Sequence, residues 1–501
     1  MLVPYEDNTY LKMAKSNLTL VKLRRMDDAS FATWADDFRR DVTYAWDELG
    51  VPLLGGRDGD DIVRDFQSLS DLNVSDIESV DELTGDKDCL INRNTGSSCN
   101  QFFPTMLKTL DIDAKGKDGR SIYGFFSDPD LREKFTSNLR AYLREDSIRL
   151  LYNATPEDNA LDLSDIEHSL DAEDFELVLI GRPDRNAKKC RIATADEAAK
   201  FRWAMDHEDQ PFYEVRYVSR KKRIYDARSI FRVIFDMRPA GNFPPVVARY
   251  LYHRFTKDIP GSDRINIYDP SSGWGGRLLG ALSLYRQRKL HYVGTDPNTD
   301  HWMPDLGMTK YEYLAQYFNG NATGDQRTTL DIFRDGSEVI QHNEAFRKYR
   351  GKIDFIFTSP PYFAAEGYSQ DETQSYKKFP TYTEWRNGFL TETLKTCAEW
   401  LRPGRWLCWN IADIGFNAKL VPLQQDTIDI LTNLGMEYRG FLKMVLAESP
   451  GGGKTTESGV PTTRNFCKIN GRTRKFEPIL MFWKPADLAK TELNSICALN
   501  S

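Results

Sequence analysis

The chain has 501 residues, of which 40% are hydrophobic and 28% charged, as is typical of a globular protein with two or three domains. A net charge of −7 argues against a protein coated with nucleic acid through bulk charge, but not against a local basic face. No apolar run approaches the roughly 18 residues of a membrane span, and no basic-then-apolar signal pattern opens the sequence.

Cysteine and histidine spacing limits the possible cofactors. The seven cysteines form no CxxC pair, which predicts free thiols in a reducing cytoplasm. The six histidines form no HxxxH or HExxH group. We therefore expect a cytoplasmic protein without a metal site and without a membrane partner.

The first 235 residues show a mixed pattern. Residues 29–49 and 128–151 have the spacing of amphipathic helices, and residues 176–180 have the composition of a strand. The Asp-rich residues 55–88 predict a solvated loop or a weak helix. These features predict a mixed α/β N-terminal domain over residues 1–235.

Strand and helix patterns alternate regularly after residue 235. The predicted strands are residues 265–269, 291–296, 352–359, 405–411, 438–447 and 477–484, and the predicted helices are residues 277–286, 302–318, 382–401 and 420–434. This alternation predicts a mostly parallel sheet covered on both faces, within a domain of residues 236–490. The last two strands have no helix between them and could pair as an edge hairpin, joined by a basic, Gly-rich loop over residues 449–475. Residues 491–501 are predicted to be a tail.

A glycine-rich turn follows the first of these strands in the segment YDPSSGWGGRLLGAL. The strand ends at Asp269, and Gly273 and Gly275 lie in the turn before a helix. Glycines allow positive φ and a close approach of the backbone to a ligand, and ligands of such sheets bind beyond the carboxyl ends of the strands. A tight turn without a ligand explains the same residues.

The segment GTDPN places a second carboxylate, Asp296, at the end of the next strand. In nucleotide-binding sheets such a carboxylate accepts hydrogen bonds from ribose hydroxyls. A helix cap followed by Pro297 in the first helical position is a compatible alternative.

The segment DFIFTSPPYF ends a third strand with Ser359, Pro360, Pro361 and Tyr362. The prolines have fixed φ and no amide donor, so their carbonyls are held rigidly as acceptors. With the Ser359 hydroxyl and the Tyr362 ring, they suit a planar group that carries an NH₂. A nucleobase with an exocyclic amine fits, once it is flipped out of a duplex to stack on an aromatic side chain.

The order of these segments resembles the amino-group class of S-adenosylmethionine-dependent DNA methyltransferases over roughly residues 240–485. The tetrapeptide Ser359–Tyr362 matches that family's [SDN]-PP-[YFW] catalytic motif, and DPSSGWGG resembles its methionine-binding loop. The segment NFPPVVARYLYHRF resembles the family motif that packs near the methionine end of the cofactor, and LRPGRWLCWNI resembles its fifth-strand region. The resemblance implies a Rossmann-like class I methyltransferase sheet.

The resemblance also implies site roles and a reaction. The implied catalytic residues are Ser359, Pro360, Pro361 and Tyr362, and the implied residues for S-adenosyl-L-methionine are Phe243, Asp269, Ser271, Gly273, Trp274, Gly275, Asp296, Pro297 and Thr358. The implied reaction is direct methyl transfer to an exocyclic amine of double-stranded DNA without a covalent enzyme intermediate. Serine in the first motif position favours N4 of cytosine over N6 of adenine.

Two basic segments are candidate phosphate contacts, since such contacts dominate non-specific affinity for DNA. The candidate residues are Arg220, Lys221, Lys222, Lys454, Arg464, Lys468, Arg472 and Arg474. A solubilising surface is the alternative for both segments. GGGKTT in the second segment is not a P-loop, because Glu448 stands where the first glycine is required.

Other functions stay open on sequence grounds. A related transferase could act on RNA or on a modified base, and an inactive homologue could only bind nucleic acid. A Rossmann dehydrogenase would explain the glycines and Asp296 but would leave the tetrapeptide without a role. Residues 1–235 suit a DNA-recognition or scaffold role. A restriction-modification role, a homodimer and an associated nuclease are each compatible with the sequence.

Overall fold

The computed structural model describes residues 26–44, 59–92, 97–103, 105–106, 121–144, 175–179, 191–192, 215–219, 241–322, 327–363, 367–368, 371–416, 419–446 and 465–486. The chain divides into two compact units: Met1–Gly56 with Ile122–Arg238, and Arg57–Ser121 with Pro239–Ser501. The predicted N-terminal domain is therefore wrong for residues 57–121, which belong with the C-terminal unit. The later border lies close to the predicted change at residue 235. The predicted tail lies outside the described residues.

The described helices are α1 (Asp28–Tyr44), α2 (Gly59–Asp71), α3 (Ile122–Ser127), α4 (Arg132–Arg144), α5 (Pro245–Phe255), α6 (Gly276–Leu282), α7 (Lys310–Gly320), α8 (Glu344–Arg347), α9 (Ser375–Lys378), α10 (Tyr382–Trp385), α11 (Glu392–Trp400) and α12 (Leu423–Asn433). A π-helical segment, Arg386–Thr391, joins α10 to α11. The described strands are β1 (Glu78–Ser79), β2 (Cys89–Ile91), β3 (Phe175–Leu179), β4 (Arg191–Ile192), β5 (Val215–Ser219), β6 (Arg264–Asp269), β7 (Lys289–Thr295), β8 (Trp302–Met303), β9 (Met308–Thr309), β10 (Thr329–Phe333), β11 (Ile353–Thr358), β12 (Leu401–Asn410), β13 (Ile414–Phe416), β14 (Lys419–Val421), β15 (Glu437–Val445), β16 (Phe466–Ile469) and β17 (Arg472–Lys484).

The first unit contains α1, α3, α4 and a three-stranded antiparallel sheet in the order β4-β3-β5. Its helices share an aromatic core, in which the Phe38 ring lies 5.8 Å from that of Phe126 and 6.4 Å from that of Phe135. Both predicted helices and the predicted strand of this unit are present. The second helix starts at Arg132 because Asp128 caps a separate 3-10 turn, Pro129–Leu131, before it.

The second unit is built on one large sheet in the order β1-β2-β15-β17-β12-β11-β6-β7-β10, with β16 paired to β17. Strands β12, β11, β6, β7 and β10 are parallel neighbours, which confirms the Rossmann-like, mostly parallel α/β fold. The predicted antiparallel pairing of the last two strands, β15 and β17, is also present. Their predicted edge position is wrong, because β2 and β1 continue the sheet beyond β15.

Both faces of the central strand β11 are covered. Successive side chains of a strand point to opposite faces, and all six residues of β11 are buried. Phe355 and Phe357 pack against rings of α5, with Phe255 stacked 5.4 Å from Phe355. Ile356 belongs to the apolar cluster that α11 and α12 complete. Double burial explains why the apolar residues Phe355, Ile356 and Phe357 are consecutive in this strand.

Two sequence predictions in the second unit are refined by the structure. Residues 55–88, predicted as a solvated loop or a weak helix, contain the helix α2, whose Ile62, Phe66 and Leu69 are buried at helical spacing. The predicted helix over residues 302–318 begins only at Lys310, where Thr309 and Glu312 form a capping box. Residues 302–309 instead form the β8–β9 hairpin.

The carboxyl ends of the parallel strands meet at one edge of the sheet. Asp269 ends β6, Thr295 ends β7, Thr358 ends β11 and Asn410 ends β12. Because β17 runs antiparallel to β12, its first residues reach the same edge. We call this the carboxyl edge, and the candidate site lies along it.

Candidate active site

The glycine-rich turn between β6 and α6 has the backbone that its sequence predicts. Gly273 has φ +58° and Gly275, the N-cap of α6, has φ +72°. A Cβ on Gly275 would lie 2.7 Å from Cε2 of Phe103, whereas a Cβ on Gly273 would meet nothing closer than 3.7 Å. Gly275 is therefore required by packing, while the positive φ of Gly273 is what favours glycine there.

Asp269 is the centre of a buried hydrogen-bond network at the carboxyl edge. Its carboxylate accepts from Nε of Arg277 at 2.8 Å, from the Tyr292 hydroxyl at 2.5 Å and from the Thr358 hydroxyl at 2.7 Å. The backbone N–H of Ser271 donates at 3.2 Å. These hydrogen bonds connect the turn to β7 and β11, so Asp269 stabilises the relative positions of the three strand ends.

Asp296 plays a similar role at the end of β7. It accepts hydrogen bonds from the N–H groups of Gly273 and Asn298 and from the Tyr311 hydroxyl, each at 2.9 Å. Burial raises the pKa of Asp296. His301, which lies 3.5 Å away, and the hydrogen bonds from Asn298 and Tyr311 lower that pKa by more, so the net pKa of the carboxyl is below its ordinary value. These donors fix the orientation of the Asp296 carboxylate beside the turn.

A segment that the sequence analysis missed, residues 97–103 with 105–106, packs beneath the turn. Asn242 Nδ2 donates to Asn100 Oδ1 at 2.9 Å and to the Trp274 carbonyl at 2.8 Å, which links this segment to the turn. The Phe103 ring lies 5.2 Å from that of His301 and 5.0 Å from that of Tyr311. No motif marks residues 97–106, so spacing alone gave no signal for their position.

The other predicted cofactor residues lie around the same turn. Phe243 is buried against Phe357, with the Arg277 guanidinium 5.5 Å from its ring. The ring of Trp274 meets that of Tyr368 at 5.5 Å. Ser271 and Pro297 are half-buried beside the turn and beside Asp296. The structure thus brings all nine predicted cofactor residues to one part of the carboxyl edge.

The tetrapeptide Ser359–Tyr362 follows β11 directly. Pro360 is buried, whereas Ser359, Pro361 and Tyr362 are half-buried at the carboxyl edge. The next residue, Phe363, has φ +52°, which is unusual for a residue with a side chain. Its buried ring packs edge-on against Tyr382, Trp385 and Phe416. This anchor fixes where the tetrapeptide ends and which way the chain leaves it.

The Tyr362 hydroxyl points at two residues that the sequence analysis did not select. Its oxygen lies 3.2 Å from the Asn410 carbonyl, 3.3 Å from Asn410 Oδ1 and 3.5 Å from Glu477 Oε2. Asn410 could have been found by the rule that located Asp269 and Asp296, because it ends a parallel strand. Glu477 could not, since its strand is antiparallel.

Three of the eight predicted phosphate contacts are described, and all three lie in the β16–β17 hairpin. Arg472 is exposed, and Arg474 donates to the Leu446 carbonyl. Lys468 lies 3.8 Å from Glu82. The hairpin is ordered structure, which corrects the predicted loop over residues 449–475 for its last residues. Arg220, Lys221, Lys222, Lys454 and Arg464 lie outside the described residues.

One cluster of the second unit has ligand atoms close enough for a metal ion. Asp81, Asp88 and Cys89 place their ligand atoms within 4.8 Å of one another. The ammonium group of Lys443 already binds Asp81 at 2.7 Å and Asp88 at 2.9 Å. This internal cation satisfies both carboxylates, so the cluster is an ion-pair network that joins residues 81–88 to β15.

Sequence comparison supports the resemblance over part of the chain. Residues 353–496 match the model of a family described as DNA methylase, N6_N4_Mtase. The match begins at the first residue of β11 and includes the tetrapeptide, which confirms the resemblance to amino-group DNA methylases over these residues. No curated protein sequence matches the chain.

Solved structures give more distant similarities. A protein of Thermus thermophilus named as a DNA modification methylase is 16% identical, covering 31% of this chain and 53% of its own, with a TM-score of 0.21. The structure of the same protein in complex with S-adenosyl-L-methionine is 18% identical in sequence to this chain. The match covers 31% of this chain and 56% of the Thermus chain, with a TM-score of 0.20. A methyltransferase of Pyrococcus furiosus is 14% identical, covering 52% of this chain and 96% of its own, with a TM-score of 0.28.

The chain spans about half the length of the Thermus protein that it matches. The fold assignment rests on the sheet order rather than on these similarities. Within the described part of the chain, no helix combines the length and the apolar character that crossing a membrane requires.

Proposed function

We propose that the second unit is an S-adenosyl-L-methionine-dependent methyltransferase that acts on an exocyclic amine of double-stranded DNA. The observation that carries the proposal is the hydrogen bond between Thr358 and Asp269. It joins the strand that ends in the catalytic-type tetrapeptide to the strand that ends in the glycine turn. The family match to DNA methylases over residues 353–496 supports the same reaction class.

The residues at the turn fit the proposed cofactor. Gly273 has a positive φ and no side chain at the turn, and Asp296, which accepts from the Gly273 N–H, is the proposed partner of a ribose hydroxyl. Phe243, Trp274 and Pro297 supply apolar surface beside them. When bound, S-adenosyl-L-methionine supplies an electrophilic methyl group on a sulfonium centre.

The tetrapeptide binds and orients the target amine in this proposal. The Ser359 hydroxyl and the Pro360 carbonyl accept the two amine hydrogens, which makes the nitrogen more pyramidal and more nucleophilic. The Tyr362 ring stacks on the face of the flipped base. Most of the rate enhancement then comes from positioning and from charge stabilisation. Cys408 has no role, because it is buried inside β12.

We favour N4 of cytosine over N6 of adenine as the target, on the ground of Ser359 in the first position of the motif. A related reaction on RNA or on a modified base is the alternative, and an inactive nucleic-acid-binding homologue is a third. The intact glycine turn and tetrapeptide disfavour the third. We propose a cytoplasmic location, in keeping with a DNA substrate.

DNA contacts are proposed on the carboxyl edge. The β16–β17 hairpin extends past the last β12 pair, Asn410 with Ile479, on the side where Ser359 lies. Its basic residues Lys468, Arg472 and Arg474 are proposed phosphate contacts. The remaining basic candidates and a DNA-recognition or scaffold role for the first unit stay predictions from the sequence.

Methyl transfer tests the proposal. Tritium-labelled S-adenosyl-L-methionine is incubated with unmodified DNA and either the wild type or a Ser359→Ala, Tyr362→Ala double variant. We expect label on DNA with the wild type only, and cofactor binding in both proteins. Cofactor binding without label on DNA would move the substrate to RNA or a modified base. Absence of cofactor binding by the wild type would overturn the methyltransferase assignment.

A further inference from the structure

The carboxyl edge contains an acidic side chain next to the catalytic-type tyrosine. In the sheet, Thr358 of β11 pairs with Trp409 of β12, and Asn410 pairs with Ile479 of β17. Glu477 therefore lies two residues beyond the last β12 pair, on the edge at which Ser359 follows β11. It is half-buried and 3.5 Å from the Tyr362 hydroxyl.

Asn410 is held in one orientation at this position. Its Nδ2 donates to the Pro478 carbonyl at 3.1 Å, and the same carbonyl accepts from the Ile411 N–H at 3.3 Å. The amide oxygen consequently faces the Tyr362 hydroxyl. Asn410 is almost fully buried, so its oxygen is a fixed acceptor beside the tyrosine.

We propose that Glu477 is a positioning residue, which together with Asn410 fixes the plane of the Tyr362 ring against the target base. This inference rests on the proposed function, because it assigns a role to Glu477 within that site. Tyrosine has one soft torsion at Cβ–Cγ and one hydroxyl. The single hydroxyl hydrogen is shared by acceptors on two neighbouring strands, Asn410 and Glu477. Because a phenol O–H prefers the plane of its ring, these acceptors orient the ring before the base arrives.

Methyl transfer requires the target nitrogen to stay in line with the methyl group. During transfer the nitrogen lone pair forms the new N–C bond, the S–C bond breaks with its electrons going to sulfur, and the surplus amine proton leaves to water. A Tyr362 ring held in one plane keeps the base in place during this step.

Kinetics of four variants test the role. The variants are Glu477→Ala, Glu477→Gln, Tyr362→Phe and the double variant Glu477→Ala, Tyr362→Phe, assayed with PCR-amplified DNA. We expect Glu477→Ala and Tyr362→Phe each to lower kcat about tenfold, as loss of a positioning hydrogen bond does, with KM for S-adenosyl-L-methionine unchanged. The double variant should be no slower than the slower single variant, because both changes remove one interaction.

Glu477→Gln keeps an acceptor and removes the charge, so its kcat should lie between those of the wild type and Glu477→Ala. Glu437→Ala, which removes an exposed glutamate of β15, is the matched control and should keep the wild-type kcat. Multiplicative losses in the double variant, or a wild-type kcat for Glu477→Ala, would overturn the proposal.

A second measurement does not depend on activity. Protein labelled with ¹³C at tyrosine Cζ is compared by NMR, and Tyr362→Phe identifies the Tyr362 resonance. We expect that resonance to shift in Glu477→Ala and to stay in place in Glu437→Ala. An unchanged resonance in Glu477→Ala would overturn the contact itself. A wild type that transfers no methyl group would instead overturn the proposed function, while this comparison still decides the role of Glu477 towards Tyr362.

Discussion

Single residues at the carboxyl edge act by accepting several hydrogen bonds at once. Asp269 joins β6 to Tyr292 on β7 and to Thr358 on β11 while it pairs with Arg277. Burial lowers the pKa of Arg277, but the neighbouring Asp269 and Tyr292 raise it more, so the guanidinium stays charged. A charge this deep in the protein is stable only while its partner is present.

Removal of that guanidinium should be costly. We expect Arg277→Met to lower the free energy of unfolding by about 3–5 kcal/mol, because Asp269 would be left as a buried, partly uncompensated charge. Urea unfolding of the purified protein measures the change. The control Arg286→Met removes an exposed ion pair with Asp71 and should change stability by about 1 kcal/mol or less. Equal effects of the two substitutions would show that the Asp269 network does not hold the site.

At the scale of elements, residues 81–88 are fastened to the sheet by a buried lysine. Lys443 on β15 binds Asp81 and Asp88, and the Lys443 side chain is 7% exposed. Burial raises the pKa of Asp81, but hydrogen bonds from Lys443, the Lys468 N–H and the Leu83 N–H lower it more. Because the pKa of Asp81 in the folded protein is below the unfolded value of about 3.9, ionised Asp81 stabilises the protein at pH values above 3.9. Its contribution is lost as the pH falls through the folded pKa.

Lys443→Met should therefore show a pH-dependent loss of stability. At pH 7 we expect the free energy of unfolding to fall by about 3–5 kcal/mol, because two carboxylates lose their cation. The difference from the wild type should narrow towards pH 4, where protonation of Asp81 removes the unpaired charge. Urea midpoints between pH 4 and 8 measure this. Lys395→Met, at an exposed helix pair, should behave as the wild type does, and a loss independent of pH would contradict the ion-pair account.

The sequence predicted the strands that carry the candidate site better than the elements that support it. Residues 265–269 and 352–359 are rich in apolar β-formers and end in polar residues, a pattern that double burial and ligand contact impose together. Helix α2 was predicted only as an alternative to a solvated loop, because its three buried residues lie among aspartates. Strand β2 has only three residues and pairs with β15 far along the chain, so no local signal predicts the pairing.

At the scale of the whole molecule, residues 57–121 complete the second unit. Phe66 on α2 packs 4.7 Å from Phe318 on α7, and β2 extends the large sheet at β15. These contacts explain why residues 57–121 belong to the second unit although they precede the change of sequence pattern near residue 235.

A fragment of residues 239–501 should consequently be unstable. It would expose Phe318 and leave Lys443 without Asp81 and Asp88, so we expect aggregation or a thermal midpoint at least about 10 °C below that of the full chain. Circular dichroism melting of the fragment and of the full chain measures this. A 239–501 fragment as stable as the full chain would contradict the assignment of residues 57–121.

The central claim is that the carboxyl edge transfers a methyl group to a base amine. The most direct measurement is nucleoside mass spectrometry of unmodified DNA after incubation with the wild type and S-adenosyl-L-methionine carrying a trideuterated methyl group. The account predicts trideuterated N4-methylcytosine, or N6-methyladenine if the base preference is reversed, and no label with Ser359→Ala, Tyr362→Ala. Label in 5-methylcytosine, or equal labelling by the double variant, would contradict it.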